Sequence, residues 1–222
     1  MSLVICIHNR YNSVESALAH GTQVLAASSI AKELASAQLI PAIDNLLKTN
    51  NYQLSDLSHI IVNQGPAPFT TLRTIIVTAN GIAFAHKTPL IGVDALDAFM
   101  SEYSQNIETP CIVLLNAFNK AVYYGFKDPQ TQKTLKGYAP IESCITMIQS
   151  MYNNIPLRFL GNGTQLYRTE IETAFGSMAL IPEPLPLTPS LQAILNLGIN
   201  QLHKGEGITH FLEPLYLKKP LS

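Results

Sequence analysis

The chain has 222 residues, with 14 Lys+Arg against 15 Asp+Glu and a formal net charge of −1. That balance excludes a strongly basic nucleic-acid binder and an acidic tail, though not a local patch. Charged residues make up 13% of the chain and hydrophobic ones 47%, against about 25% charged in an ordinary soluble domain. The hydrophobic share is ordinary, so the anomaly is the missing charge: the surface is either polar-neutral or partly covered by something else.

The first thirty residues read as strands. Leu3 to Ile7 is a continuous apolar run that suits a strand buried on both faces. Tyr11-Asn12-Ser13 is a turn, and Val14 to His20 and Gln23 to Ser28 are further strands around Gly21-Thr22. A helix is predicted from about Lys32 to Thr49 and a short strand from Ser58 to Asn63. Gly65-Pro66-Ala67-Pro68 breaks the chain before a second helix, Phe69 to about His86. Leu90 to Val93 is a strand, followed by a helix fading near Tyr103. The second half opens in the same way, with Pro110 to Leu115 as a buried strand, a turn at Ala117–Lys120, and strands at Val122–Lys127 and Lys133–Tyr138. Then come a helix (Ile141–Met151), a strand (Leu157–Leu160), a Gly161-Asn162-Gly163 turn into another helix, the Pro-rich stretch Pro182–Pro189, a helix (Ser190 to about His203) and an extended end, Phe211–Leu217. The echo of the first half in the second predicts two α/β lobes, residues 1–104 and 105–222, joined near Ser104–Thr109, with a carboxyl end free to pack back on the first lobe.

The two long helices of the first lobe carry the most information. Ala31, Ala35, Leu39, Ile40, Ala42, Ile43, Leu46 and Leu47 fill about half the circumference of the first, wider than the stripe needed to face one core. On the second, Phe69, Leu72, Ile75, Ile76, Ala79, Ile82 and Ala83 form one stripe. The opposite face holds Thr70, Thr74, Val77, Gly81, Phe84 and Ala85, and Arg73 is the one charged residue before the terminal His86. Two arrangements fit: a central helix covered on both sides by its own chain, or a helix pair packed on a sheet with one face and on another protein with the other.

The segment Gln64-Gly65-Pro66-Ala67-Pro68-Phe69-Thr70-Thr71-Leu72-Arg73-Thr74 resembles the Gly-Pro-Gly-Ser-Phe-Thr-Gly-Leu-Arg signature of the bacterial TsaB (YeaZ) family. The resemblance extends through Leu39–Ile43, Ala79–Ala83 and Pro89–Leu96. Weaker echoes occur at Asn116-Ala117 with Val122-Tyr123-Tyr124, at Gly161–Gly163 and at Glu213–Leu217. It implies an actin-like, ribonuclease-H-type α/β fold of two duplicated lobes and a role in making N6-threonylcarbamoyladenosine in tRNA. It also implies a non-catalytic chain that heterodimerises with a TsaD catalytic subunit and works with a small ATPase, TsaE. ATP and metal are then expected on those partners and no cofactor on this chain, with tRNA met indirectly through the complex and a homodimer possible in isolation. The candidate interface residues are Leu39, Ile43, Leu46, Thr70, Arg73, Thr74, Val77, Gly81 and Phe84.

Departures from the family pattern bear on chemistry. Where the family has an Asp-Thr-Ser loop this chain has His8-Asn9-Arg10, which offers no carboxylate for a metal. Ala67, Pro68 and Thr71 replace two glycines and a serine of the signature, removing a backbone donor and adding side-chain atoms beside the backbone. The six histidines include no HxxxH or HExxH pair. The alternative reading, a stand-alone actin-like ATP-dependent kinase or metallopeptidase-like enzyme, needs the groups these positions lack; a purely self-assembling protein is a third. Cys6, Cys111 and Cys144 are widely spaced in apolar runs, as in a reducing compartment. With no signal-peptide pattern and no membrane-length apolar run, a cytoplasmic location is expected.

Overall fold

The computed structural model describes residues 2–103, 109–128 and 133–218. They form two units: one up to Ala98 together with Ser190–Leu215, the other Phe99–Pro189 together with the segment from Tyr216.

In the first unit β1 (Leu3–Asn9), β2 (Ser13–His20) and β3 (Gln23–Ala31) form an antiparallel meander. α1 (Ala35–Thr49) leads to β4 (His59–Gly65), parallel to β1, and α2 (Phe69–His86) leads to β5 (Leu90–Asp94), parallel to β4. α3 (Ala95–Tyr103) then crosses the boundary between units, while α7 (Leu191–Lys204) and the two-residue β11 (Ile208–Thr209) complete the sheet order β11-β5-β4-β1-β2-β3.

The second unit contains β6 (Cys111–Asn116), β7 (Ala121–Lys127), β8 (Thr134–Pro140), α4 (Ile141–Met151), β9 (Leu157–Leu160), α5 (Asn162–Leu166), α6 (Arg168–Phe175) and β10 (Ala179–Leu180). Its order β10-β9-β6-β7-β8, with antiparallel β6–β7–β8 and parallel β6–β9–β10, repeats the β5-β4-β1-β2-β3 arrangement strand for strand. The duplication expected from the order of elements is therefore present in topology and in strand direction.

The division falls inside α3, whereas the sequence order placed it after residue 104; the expected join at Ser104–Thr109 lies, apart from Thr109, outside the described residues. α7, counted with the second lobe from its place in the chain, belongs to the first unit. The physical reason is β1. Its odd residues Leu3, Ile5 and Ile7 enter a core with α1 and α2, whereas Val4 and Cys6 enter a second core with Ile194, Leu195 and Ile199 of α7. A strand apolar on both faces needs a helical layer on each, and α7 supplies the second. The two meet closely: a Cβ built on Gly198 would lie 2.5 Å from Ile61 Cγ2. No helix among the described residues is long and apolar enough to cross a membrane.

Candidate interaction site

α2 starts where β4 ends in Gly65, whose φ of +116° is a conformation that favours glycine. The amide N–H of Gly65 donates to Asn63 Oδ1 at 2.9 Å, which orients the Asn63 side chain. Its Nδ2 then faces His8 Nδ1 at 2.9 Å, so that His8 nitrogen is the acceptor and its ring is the neutral Nε2–H tautomer. Asn9 Oδ1 accepts from the Tyr11 amide at 3.1 Å, and Arg10 pairs with Glu15 at 2.9 Å. His8 and Asn9 of this loop are buried, and Asn9 Nδ2 is left there with no hydrogen-bond partner among the described residues. Among the described residues no cluster of three or more His, Cys, Asp or Glu could hold a metal ion. Burial pushes the Cys111 thiol up to about 11 and that of Cys144 to about 12, and it also raises Cys6, so none is a ready thiolate near neutral pH.

The outward side of α2 is different in character. Leu72, Ile75, Ile76, Ala79, Ile82 and Ala83 face the sheet and α1. Phe69, Val77 and Phe84 are 55%, 69% and 78% exposed. Thr70, Arg73 and Gly81 lie exposed among them, and Thr74 is half-buried, its hydroxyl donating to the Thr70 carbonyl at 3.1 Å. A Cβ built on Gly81 would meet nothing within 4 Å. The cations nearest this surface lie flat against it: the Arg73 guanidinium sits 4.0 Å from the Phe69 ring centroid and the Lys87 ammonium 4.7 Å from that of Phe84. The result is an apolar band with cationic edges, not a solvated polar helix face. Of the two arrangements open from sequence, coverage of α2 on both sides by its own chain is not what the described residues form.

Leu39, Ile43 and Leu46 must be removed from the candidate interface. All three are buried within the first unit, Leu39 and Ile43 in the core shared with α2. They sit at the centre of α1's apolar arc, and that centre points at the sheet. The exposed apolar residue of α1 is Ile40; its Asp44–Lys48 pair, 2.7 Å apart, is on the solvent side. Phe69, assigned from sequence to the inward stripe of α2, is exposed because it stands at the edge of that stripe, in the helix's first turn.

Sequence reasoning also missed Phe211, 65% exposed. Asn80 of α2 donates from Nδ2 to the Leu212 carbonyl and accepts at Oδ1 from the Leu212 amide, both at 2.9 Å, so the carboxyl-terminal segment is clamped to the helix. Leu215 N donates to the Gln64 carbonyl at 2.8 Å, which carries that segment back to the start of α2. Nothing local in the sequence links positions separated by 132 residues.

A family model described as TsaD, tRNA N6-adenosine threonylcarbamoyltransferase, matches residues 28–219. The chain belongs to that family, in its TsaB (YeaZ) branch. It is 24% identical over 187 residues to the tRNA threonylcarbamoyladenosine biosynthesis protein TsaB of Bacillus subtilis, covering 82% of this chain and 79% of that one. Among solved structures, YeaZ from Pseudomonas aeruginosa superposes with a TM-score of 0.76 at 23% identity, covering 98% of this chain and all (100%) of the other. A Bacteroides thetaiotaomicron protein described as having an actin-like ATPase fold gives a TM-score of 0.50 at 10% identity, over 87% of this chain and 95% of that one. The actin-like fold expected from the signature around Gly65 is thereby established, together with the family.

Proposed function

We propose that this chain is a non-catalytic activating subunit in the synthesis of tRNA N6-threonylcarbamoyladenosine. In this reading it docks a TsaD-type catalytic subunit against the outward face of α2. The observation that carries it is the exposed apolar band of Phe69, Val77 and Phe84 on a helix whose other side is already committed to the core. Exposed apolar area of this kind on an otherwise well-packed unit marks an interaction surface, and aromatic anchors edged by arginine are the usual energetic centres of such surfaces. The catalytic burden falls on the partner. The His8 loop carries no carboxylate, and the cysteines are buried.

Arg73 and Lys87 favour an acidic rim on the partner, and Phe211 extends the contact from the carboxyl-terminal segment. A TsaE-type ATPase joins the assembly. In the absence of the catalytic subunit the same face supports self-association. The test is co-purification of the chain with the TsaD-type protein of its own genome: Val77→Glu should abolish capture while leaving the melting temperature within a few degrees of wild type. Undiminished capture by the folded variant overturns the assignment of this face.

A further inference from the structure

The sheet of the second unit ends on one side in the two-residue strand β10, and a cleft opens at that edge. Register places Cys111 of β6, Arg158 of β9 and Leu180 of β10 in one row across the sheet. Leu157 and Phe159, on either side of Arg158, enter the core with Ile141, Ile148 and Ile171, so alternation turns Arg158 to the opposite face. The cleft has a volume of about 440 Å³ and is lined by Thr109, Arg158, Ala179, Leu180, Ile181 and Pro182. That volume lies within the range of small-molecule sites, about 300–1,000 Å³. Apart from Thr109 and Arg158 the lining is apolar, and Leu180 is 44% exposed in it.

Arg158 is the charged residue of this lining, and the fold uses little of it. Its Nη1 donates to the Tyr103 carbonyl at 3.4 Å, a long bond, and its guanidinium lies 5.7 Å from the Tyr103 ring centroid. Among the described residues no carboxylate pairs with it; Glu183, next to Pro182 in the chain, is held by Arg168. A guanidinium carries five N–H donors in a planar fork, so most of them face the cleft's solvent from a half-buried position. An uncharged apolar ligand would strip that water and leave the cation unpaired. A phosphate calls for more than one charge or a nest of backbone amides, and the described lining offers a single cation. A carboxylate matches the fork with one charge against one, and an aliphatic body suits the rest of the wall.

We propose that this cleft binds a small aliphatic monocarboxylate, with its carboxylate on Arg158 and its hydrocarbon body against Leu180, Ile181 and Pro182. The site uses none of the residues of the α2 band and does not rest on the partner reading.

The test is titration calorimetry of the full chain with sodium 4-methylpentanoate. It should bind saturably with a Kd of about 1 mM, a modest affinity for a ligand this small. The amide of the same shape, 4-methylpentanamide, should bind about tenfold more weakly or worse, because the charge-assisted bonds to the guanidinium are lost. Arg158→Gln should weaken the carboxylate by a similar factor. Because that variant also gives up the bond to Tyr103, Leu180→Trp serves as the second probe. It fills the cleft from an exposed position, so it should abolish binding with the Tm within a few degrees of wild type. No saturation up to about 20 mM, equal binding of the amide and the carboxylate to wild type, unchanged affinity of the folded Leu180→Trp variant, or inorganic phosphate binding as tightly as the carboxylate would each overturn the proposal.

Discussion

Truncating Phe84 to alanine separates an interaction face from a core face. Full burial of a phenylalanine side chain is worth about 1.5–3 kcal/mol. In the isolated chain Phe84 is 78% exposed, so most of that free energy is still to be gained on docking, about 2 kcal/mol. Phe84→Ala should therefore weaken binding to the TsaD-type partner about thirtyfold. The folded chain loses little, since an exposed substitution changes stability by about 0.5 kcal/mol or less, about 2 °C in Tm for a chain of this size. Titration calorimetry against the partner and a thermal melt of the variant alone give the two numbers. Affinity within twofold of wild type would place Phe84 outside the contact. A Tm lower by about 10 °C would place it in the core and remove the basis for the interface.

Leu39→Ala should show the opposite pattern, costing about 2–5 kcal/mol of stability and about 5–15 °C in Tm, with affinity changed little in the fraction that remains folded; a melt matching wild type would contradict its place in the α1–α2 core. Asn80→Ala removes both bonds to the Leu212 backbone, at about 1–3 kcal/mol in total, and limited proteolysis should then cut first near residues 205–215; unchanged protection would mean that the segment is held by other contacts. His59 has its pKa lowered by burial, so the unfolded chain binds its proton more readily than the folded one. Its contribution to stability is complete above about pH 7 and drains away as pH falls through the ordinary histidine value near 6.5 toward the lower folded value. The Tm of wild type should fall more between about pH 7 and pH 5 than that of His59→Gln, and parallel curves would contradict the assignment.

How much of this could be read in advance depended on whether the deciding contacts are local. Leu3–Ile7 and Cys111–Leu115 are unbroken apolar runs at the head of each half, and both are central buried strands. The break at Gly65–Pro68 marked the start of α2 correctly because backbone conformation at a glycine and its prolines is a local matter. The α1 arc was misread because an apolar band covering half a helix does not say which part of its width meets the sheet. Leu39 and Ile43 at its centre went inward and Ile40 at its edge stayed out. Membership of α7 in the first unit and the Asn80 clamp on Leu212 depend on residues more than a hundred positions apart.

The most direct test of the central claim is reconstitution of tRNA threonylcarbamoylation from purified parts. The TsaD-type protein should modify tRNA slowly or not at all without this chain, and rapidly with it. A Val77→Glu/Phe84→Asp form that melts like wild type should fail to restore the rate. Full activity with that double variant, or full activity in the absence of the chain, would contradict the claim that α2's outward face exists to hold the catalytic subunit.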